Sequence, residues 1–163
     1  MSPRREKVST LILVLVTALL LTLLPLPDAI EPLRPYWAGL VLVYWALEIR
    51  EMVSLGMAFV IGILLDILTG SLMGMHALSL VIMIYLVQRF RSRIRFFPAW
   101  QQALSVFALL INDRIINLWI SSLLGEPIPT WQYWLSPLVG MMIWPWLFLL
   151  LDRIRAERRQ RKS

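Results

Sequence analysis

Apolar residues occur along the chain in six long runs, separated by short segments rich in charged residues or proline. Because about 20 consecutive apolar residues are needed to cross the hydrocarbon core of a bilayer, such runs are typical of membrane helices. The second run is short for a span. The pattern predicts an all-α fold, a polytopic bundle of six transmembrane helices that forms one integral membrane domain over residues 1–163. The predicted spans are residues 8–26, 36–49, 52–69, 72–88, 99–124 and 133–151.

The first apolar run follows a short basic segment and could therefore be taken for a secretory signal peptide. It is long for the apolar core of a signal peptide, no clear small-residue cleavage site follows it, and further apolar runs come after it. We therefore expect a retained first helix. Prolines at positions 25, 27, 32 and 35 are expected to end this helix and to keep the connection extended.

The positions of the basic residues predict the orientation in the membrane. Of the 16 Lys and Arg residues, fourteen lie in the N-terminal segment, the second-to-third and fourth-to-fifth connections, and the C-terminal tail. The exceptions are Arg34 and Arg114. Because cytoplasmic segments are enriched in Lys and Arg, both termini are predicted to be cytoplasmic. The basic residues that flank the spans are thus expected to contact anionic lipid headgroups. The net charge of +6 that they produce does not indicate nucleic acid binding.

Composition restricts the chemistry that the chain can carry. Hydrophobic residues make up 59% of it, more than the roughly 50% of ordinary soluble domains. Cysteine is absent, which excludes disulfides and thiolate metal sites. His76 is the single histidine, which excludes a metal site built from several histidines. The sequence contains neither a phosphate-binding loop nor a nucleophile–base motif, so no catalytic residue, cofactor or metal is predicted.

One stretch departs from a uniformly apolar helix. It reads GILLDILTGSLMG, with Gly62, Asp66, Gly70 and Gly74 four residues apart. On a continuous helix this spacing keeps the four positions close to one face. Small residues let membrane helices approach closely, whereas a carboxylate within lipid costs roughly 2.5–3.5 kcal/mol and should face protein or water. Gly70 and Ser71 also offer a helix stop, so Gly70 and Gly74 are expected to shape a turn between the third and fourth helices.

Polar residues of three helices are predicted to lie at one depth. Asp66 and Asp113 each lie 14 residues beyond the cytoplasmic start of their runs, which corresponds to roughly 20 Å. Because an unpaired charge at this depth is costly, we expect Arg114 to offset one or both carboxylates. The predicted layer consists of Asp66, His76, Asp113 and Arg114, with Asn112 and Asn117 as partners.

Two interpretations of this layer are open. Polar residues in a membrane bundle usually specify helix packing, which is the favoured interpretation here. A proton or ion pathway is the alternative, although one histidine and two aspartates do not form a relay on their own.

The sixth run contains Trp144, Pro145 and Trp146 well inside the predicted span rather than at its ends. Pro145 lacks an amide hydrogen and leaves the carbonyl of Met141 without its helical partner, which predicts a kink. The two tryptophan rings are expected to fill this kink or to face a helix of another subunit. These three residues are therefore candidate structural or partner-binding positions, together with the glycine–aspartate stretch and the polar layer.

Taken in order, these features resemble the MreD family of rod shape-determining membrane proteins. The match includes the chain length and the G-x-x-x-D-x-x-x-G-x-x-x-G pattern from Gly62 to Gly74. Further matches are PLPD at 25–28, RPYW at 34–37, WQQA at 100–103 and WPW at 144–146. They extend over essentially the whole chain, which makes the ordered set specific.

The resemblance implies a non-enzymatic role in the machinery that builds the lateral wall of rod-shaped bacteria. The implied location is the inner membrane, and the implied partners are MreC above all, with MreB, RodA and penicillin-binding protein 2 in the wider complex. The implied fold is similar to the substrate-binding S-components of energy-coupling-factor vitamin transporters. The alternative function is a small-molecule-binding protein of that S-component type. A proton-coupled transporter is disfavoured because inverted repeats and paired broken helices are not detected.

Overall fold

A computed structural model describes residues 3–160, so residues 1–2 and the end of the predicted basic tail, residues 161–163, lie outside the described residues. The described part is all-helical and contains no strand. It has six α-helices, as the apolar runs predict, and three short 3-10 turns. The α-helices are α1 (Pro3–Leu23), α2 (Trp37–Glu48), α3 (Leu55–Thr69), α4 (Met75–Ile94), α5 (Ala99–Leu123) and α6 (Leu135–Gln160).

Two helical stretches of the described part are long and apolar enough to cross a membrane by length and composition. These are Ala99–Leu123 and Trp131–Glu157. Two further apolar helices, Lys7–Leu23 and Leu55–Thr69, are shorter. The helices α4 and α6 continue beyond the predicted spans, since the arginines at positions 89, 91 and 93 belong to α4 and the described part of the basic tail extends α6.

Helix α2 lies at the centre of the bundle. It contacts α1, α4, α5 and α6, and ten of its 12 residues are buried. Its sequence is apolar around the whole circumference, as expected for a helix enclosed on all sides. At 1.5 Å per residue it is about 18 Å long, shorter than the roughly 30 Å hydrocarbon core of a bilayer. The second apolar run is therefore a buried core helix.

The connections between helices gather at two opposite ends of the bundle, called here the pocket end and the basic end. At the pocket end, Arg34 donates from its guanidinium to the carbonyls of Thr22 (2.9 Å) and Leu24 (2.7 Å), which ties the start of α2 to the end of α1. The hydroxyl of Ser136, in the first turn of α6, donates to the Arg34 carbonyl at 2.7 Å. The α3–α4 turn lies at this same end.

The basic end gathers the C-terminal ends of α2, α4 and α6. Arg91 of α4 donates to the carbonyls of Leu47 (2.7 Å) and Glu48 (3.2 Å), the last residues of α2. Arg155 of α6 forms an ion pair of 2.7 Å with the Glu48 carboxylate. Helices α2, α4 and α6 therefore run in the same direction.

Candidate functional site

The α3–α4 turn is built by two glycines with positive φ. Gly70 ends α3 with φ 66°, and the amides of Gly70 and Ser71 both donate to the carbonyl of Asp66. Gly74 precedes α4 with φ 100°. Side chains with a Cβ rarely adopt these angles, so glycine suits both positions. The predicted turn is found, and it places Gly70 and Gly74 beyond the helix that carries Asp66.

The carboxylate of Asp66 folds back over this turn and meets the first residues of α4. It accepts the amide N–H of Gly74 at 2.7 Å and that of His76 at 2.9 Å. The Ser71 hydroxyl donates to it at 2.8 Å, and the His76 Nδ1 lies 2.8 Å from the same oxygen. Asp66 therefore caps the N-terminus of α4, where the helix dipole also favours a negative charge. We call Asp66, Ser71, Gly74 and His76 the Asp66 clasp.

Gly62 lies one helical turn before Asp66 on α3, where the backbones of α3 and α4 come closest. A Cβ built on Gly62 would collide with the Cα of Ala77 and would lie 2.5 Å from the Ala77 nitrogen. Only a residue without a side chain fits between the two backbones. The four predicted motif positions therefore join two neighbouring helices of one chain: Gly62 allows their approach, and Asp66, Gly70 and Gly74 close the turn.

The predicted polar layer divides into two groups. Asp113 lies buried on α5 and accepts a hydrogen bond from the Asn117 side chain at 3.1 Å, one turn along the same helix. Within the described residues, one Asp113 carboxylate oxygen, the Asn117 carbonyl oxygen and the Asn112 amide nitrogen are buried without a hydrogen-bond partner. Asp66 and His76 meet as expected, whereas Asp113 forms no direct ion pair or hydrogen bond with them in the described part and interacts with His76 only through its charge.

Among the described residues, Arg114 makes no direct ion pair with the predicted carboxylates of Asp66 and Asp113, although its charge acts on the neighbouring Asp113. Its guanidinium lies instead over the ring of Tyr133, with 4.6 Å between the Arg114 Cζ and the ring centroid. The Tyr133 hydroxyl donates to the Arg114 carbonyl at 2.9 Å, which fixes the ring in this position.

A pocket of about 420 Å³ opens at the pocket end, between the first, third and fifth connections. Charged and polar side chains form much of its wall, which distinguishes it from an ordinary gap between apolar helices. The lining residues are Thr22, Glu31, Pro32, Arg34, Pro35, Tyr36, Leu65, Thr69, His76, Arg114, Pro129, Thr130, Gln132 and Tyr133. The pocket therefore brings His76 of the clasp and Arg114 of α5 to one cavity.

The tryptophans on either side of Pro145 have different environments. Trp144 is fully buried and donates from its indole to the Gln102 side chain at 3.1 Å. Trp146 is 76% exposed on the outer surface of α6. Helix α6 continues through Pro145. Trp144 thus packs α6 against α5, while Trp146 lies on the outer surface of the bundle.

A network at the basic end was not predicted from the sequence. Glu48 pairs with Arg155 at 2.7 Å and lies 3.9 Å from Arg95, and Arg155 also pairs with Asp152 at 2.7 Å. The Tyr44 hydroxyl donates to Asp152 at 3.3 Å. Burial acts to lower the pKa of Arg155, but the Glu48 hydrogen bond and the neighbouring charges raise it overall. The feature of the sequence that could have indicated this network is the position of Glu48, an acidic residue at the end of an apolar run.

Comparison with known proteins identifies the family. The family model described as rod shape-determining protein MreD matches residues 4–154. The chain is also 34% identical over 148 residues to the rod shape-determining protein MreD of Haemophilus influenzae, covering 91% of each chain. The chain belongs to the MreD family. No solved structure matches it.

Membership of the MreD family supports a role in rod shape determination. The family is described by this role and not by an enzymatic activity. In the part of the chain that the structure describes, no cluster of three or more His, Cys, Asp or Glu side chains could hold a metal ion. The features that stand out are accordingly the Asp66 clasp, the pocket beside it and the Glu48 network.

Proposed function

We propose that the chain is a non-enzymatic scaffold of the bacterial elongation machinery in the inner membrane. In this role it docks MreC and, through MreC, supports peptidoglycan synthesis by RodA and penicillin-binding protein 2 alongside MreB. The observation that carries the proposal is the family match over residues 4–154. Rod shape determination requires lateral wall growth, and a protein without a catalytic constellation can contribute to it by assembling others.

The internal ties of the bundle favour a scaffold that keeps its shape. The Asp66 clasp fixes α4 to α3 at the pocket end, and the Glu48 network fixes α6 and α4 to α2 at the basic end. The outer faces carry large exposed apolar side chains, among them Trp119 (70%) and Trp146 (76%). Such faces suit contact with lipid and with a partner's membrane helix.

The proposed arrangement places all six helices in the inner membrane with the basic end in the cytoplasm. Lys and Arg are enriched in cytoplasmic segments, and the basic end carries most of the arginines. We also propose that the fold is of the S-component type. In this arrangement the pocket opens on the opposite side, where a partner's outer segment can reach it.

The docking proposal is tested by capture. Tagged protein in gently solubilised membranes should retain MreC, and an unrelated tagged six-span membrane protein expressed at the same level is the control. Specific retention is expected to persist when RodA is depleted, because the proposed contact with MreC is direct. Repeated loss of MreC in several mild detergents would count against the proposal.

A second candidate function is small-molecule binding of the S-component type, and the pocket of about 420 Å³ is the observation that favours it. A pocket of this size falls within the range of small-molecule sites. Mass spectrometry of the purified protein should then detect a molecule that co-purifies with the chain in stoichiometric amount.

A further inference from the structure

Arg114 has an unusual environment for a cation in an apolar helix bundle. It lies within α5, is partly buried, and its side chain forms neither a direct ion pair nor a hydrogen bond among the described residues, although the neighbouring Asp113 interacts with its charge. A charge within a membrane protein is costly unless something offsets it. The ring of Tyr133 supplies part of that compensation from one side of the guanidinium.

The other basic side chains of the pocket, Arg34 and His76, make hydrogen bonds within the chain. Both terminal nitrogens of Arg34 donate to carbonyls at the end of α1, and its Nε is buried without a hydrogen-bond partner among the described residues. The imidazole of His76 lies against the Asp66 carboxylate at 2.8 Å. Arg114 is therefore the arginine of the pocket wall whose side chain forms no hydrogen bond or ion pair within the described part of the chain, so that its fork of donors is available to a ligand.

We propose that the pocket binds a single carboxylate group, which the guanidinium of Arg114 holds. A guanidinium presents its donors as a planar fork that matches the two oxygens of a carboxylate. Tyr133 holds one face of this fork, which leaves its edge for the ligand. Tyr36 lies in the same wall, and its buried hydroxyl has no hydrogen-bond partner among the described residues.

The charges around the pocket favour one negative charge over two. The wall carries Arg34 and Arg114 against Glu31. The buried Asp66 carboxylate lies against His76, and the buried Asp113 interacts electrostatically with Arg114. The net positive charge of the wall is therefore small, and Glu31 repels further negative charge. The single negative charge of a carboxylate can be offset by Arg114, whereas the second charge of a phosphate dianion would be left without compensation.

The carboxylate can belong to an acidic side chain of a polypeptide or to a free organic acid, and the same guanidinium chemistry serves both. The inference does not depend on docking of MreC, because it concerns the isolated chain. The test uses the purified full chain in nanodiscs of phosphatidylcholine, a lipid without net charge. The probes are N-acetylaspartate N-methylamide, which mimics an aspartate within a peptide, together with acetate and inorganic phosphate.

Binding is measured by isothermal titration and by the shift of the thermal unfolding midpoint at constant ionic strength. We expect saturable binding of at least one carboxylate probe. Arg114→Gln should weaken it by at least about tenfold, because the charge-assisted hydrogen bonds are lost. Arg114→Lys keeps the charge without the fork and should show an intermediate loss. Arg153→Gln, at an exposed arginine of α6, is the control and should bind as the unchanged chain does.

The two carboxylate probes distinguish the sources. Tighter binding of the aspartate derivative indicates an acidic side chain of a polypeptide, and equal binding indicates a free acid. The proposal is overturned if neither carboxylate binds the unchanged chain, if phosphate binds more tightly than both, or if the Arg114→Lys and Arg114→Gln variants bind as the unchanged chain does. If a variant folds poorly, the titration of the unchanged chain still tests whether a carboxylate binds and whether it binds more tightly than phosphate.

Discussion

One carboxylate oxygen of Asp66 meets both the backbone N–H of His76, at 2.9 Å, and the imidazole Nδ1 of the same residue, at 2.8 Å. Residues ten positions apart in sequence thereby join the end of one helix to the start of the next. The residue is 2% exposed, and its carboxylate is fully enclosed by protein. The Asp66 carboxylate, whose burial in an apolar bundle is unfavourable by itself, thus links α3 to α4 through hydrogen bonds.

Replacing Asp66 by Asn should destabilise the bundle by about 3 kcal/mol. The amide keeps one acceptor oxygen but turns an NH₂ group toward backbone donors, and it loses the charge that strengthens these hydrogen bonds. Unfolding of the purified protein by SDS titration in micelles measures the change. Asp28→Asn, at an exposed position of the first connection, is the matched control and should have little effect. Equal stability of the two variants would show that the clasp does not stabilise the fold.

Gly62 and Gly56 both lie on α3, yet the same substitution should affect them differently. Gly62→Ala drives a methyl group into the backbone of Ala77 and should cost about 1–3 kcal/mol. At Gly56 the nearest atom to an added Cβ is the Ser54 hydroxyl oxygen at 3.8 Å, so Gly56→Ala should be neutral or slightly stabilising. Thermal unfolding of the two variants in parallel provides the measurement. A tolerated Gly62→Ala would contradict the close approach of α3 and α4.

Glu48→Gln should destabilise the basic end by about 2 kcal/mol. The substitution removes the charge that pairs with Arg155 at 2.7 Å, and the Glu48 side chain is only 9% exposed. Glu51→Gln changes an exposed carboxylate three residues away and serves as the control. Limited proteolysis at the end of α6, followed by mass spectrometry, should show earlier cleavage in Glu48→Gln alone. Identical cleavage in both variants would show that the Glu48 network does not stabilise the basic end.

The two tryptophans beside Pro145 should respond in opposite ways to truncation. Trp144→Ala empties a fully buried site and should cost about 3–5 kcal/mol. Trp146→Ala removes an exposed ring and should change the free energy of unfolding by less than about 0.5 kcal/mol. SDS titration of each variant measures both. A large loss for Trp146→Ala in the isolated chain would mean that this ring packs within the bundle.

The proposed orientation can be tested without background labelling, because the chain has no cysteine. Ser92→Cys places a thiol on an exposed position of the basic end, and Glu126→Cys places one in the exposed connection at the pocket end. In spheroplasts a membrane-impermeant maleimide should label Glu126→Cys and not Ser92→Cys. Permeabilised cells, in which both should react, are the control. The reverse labelling pattern would invert the proposed topology.

The parts of the fold that depend on residues close in sequence could be predicted. The apolar runs and prolines predicted six helices, and the helix stop at Gly70 and Ser71 predicted the turn between α3 and α4. Asp66 and His76 lie on either side of that turn, so helix geometry alone brings them together. The role of the glycines followed from backbone conformation, which does not require knowledge of distant contacts.

The contacts between distant residues could not be predicted. The Trp144 indole meets Gln102 across 42 residues, and Arg155 meets Glu48 across 107. A helix that is apolar on all sides gives no indication of its rotation about its own axis. Depth alone therefore suggested that Arg114 would meet a carboxylate, whereas rotation of α5 directs it over Tyr133. The short length of α2 could be predicted from the sequence, whereas its burial could not, because it depends on how all the neighbouring helices pack around it.

The length of α2 has a consequence for the dielectric environment at the pocket end. In the proposed membrane arrangement, a helix of about 18 Å would leave roughly 12 Å of a 30 Å hydrocarbon layer unfilled along its axis. Arg34, Pro35 and Tyr36, which immediately precede α2, line the pocket. The cavity thus occupies the depth that α2 does not reach. In the proposed membrane arrangement, the short helix at the centre of the bundle would let water enter from this end and reach Arg114 at a depth where the surrounding bilayer is still hydrocarbon.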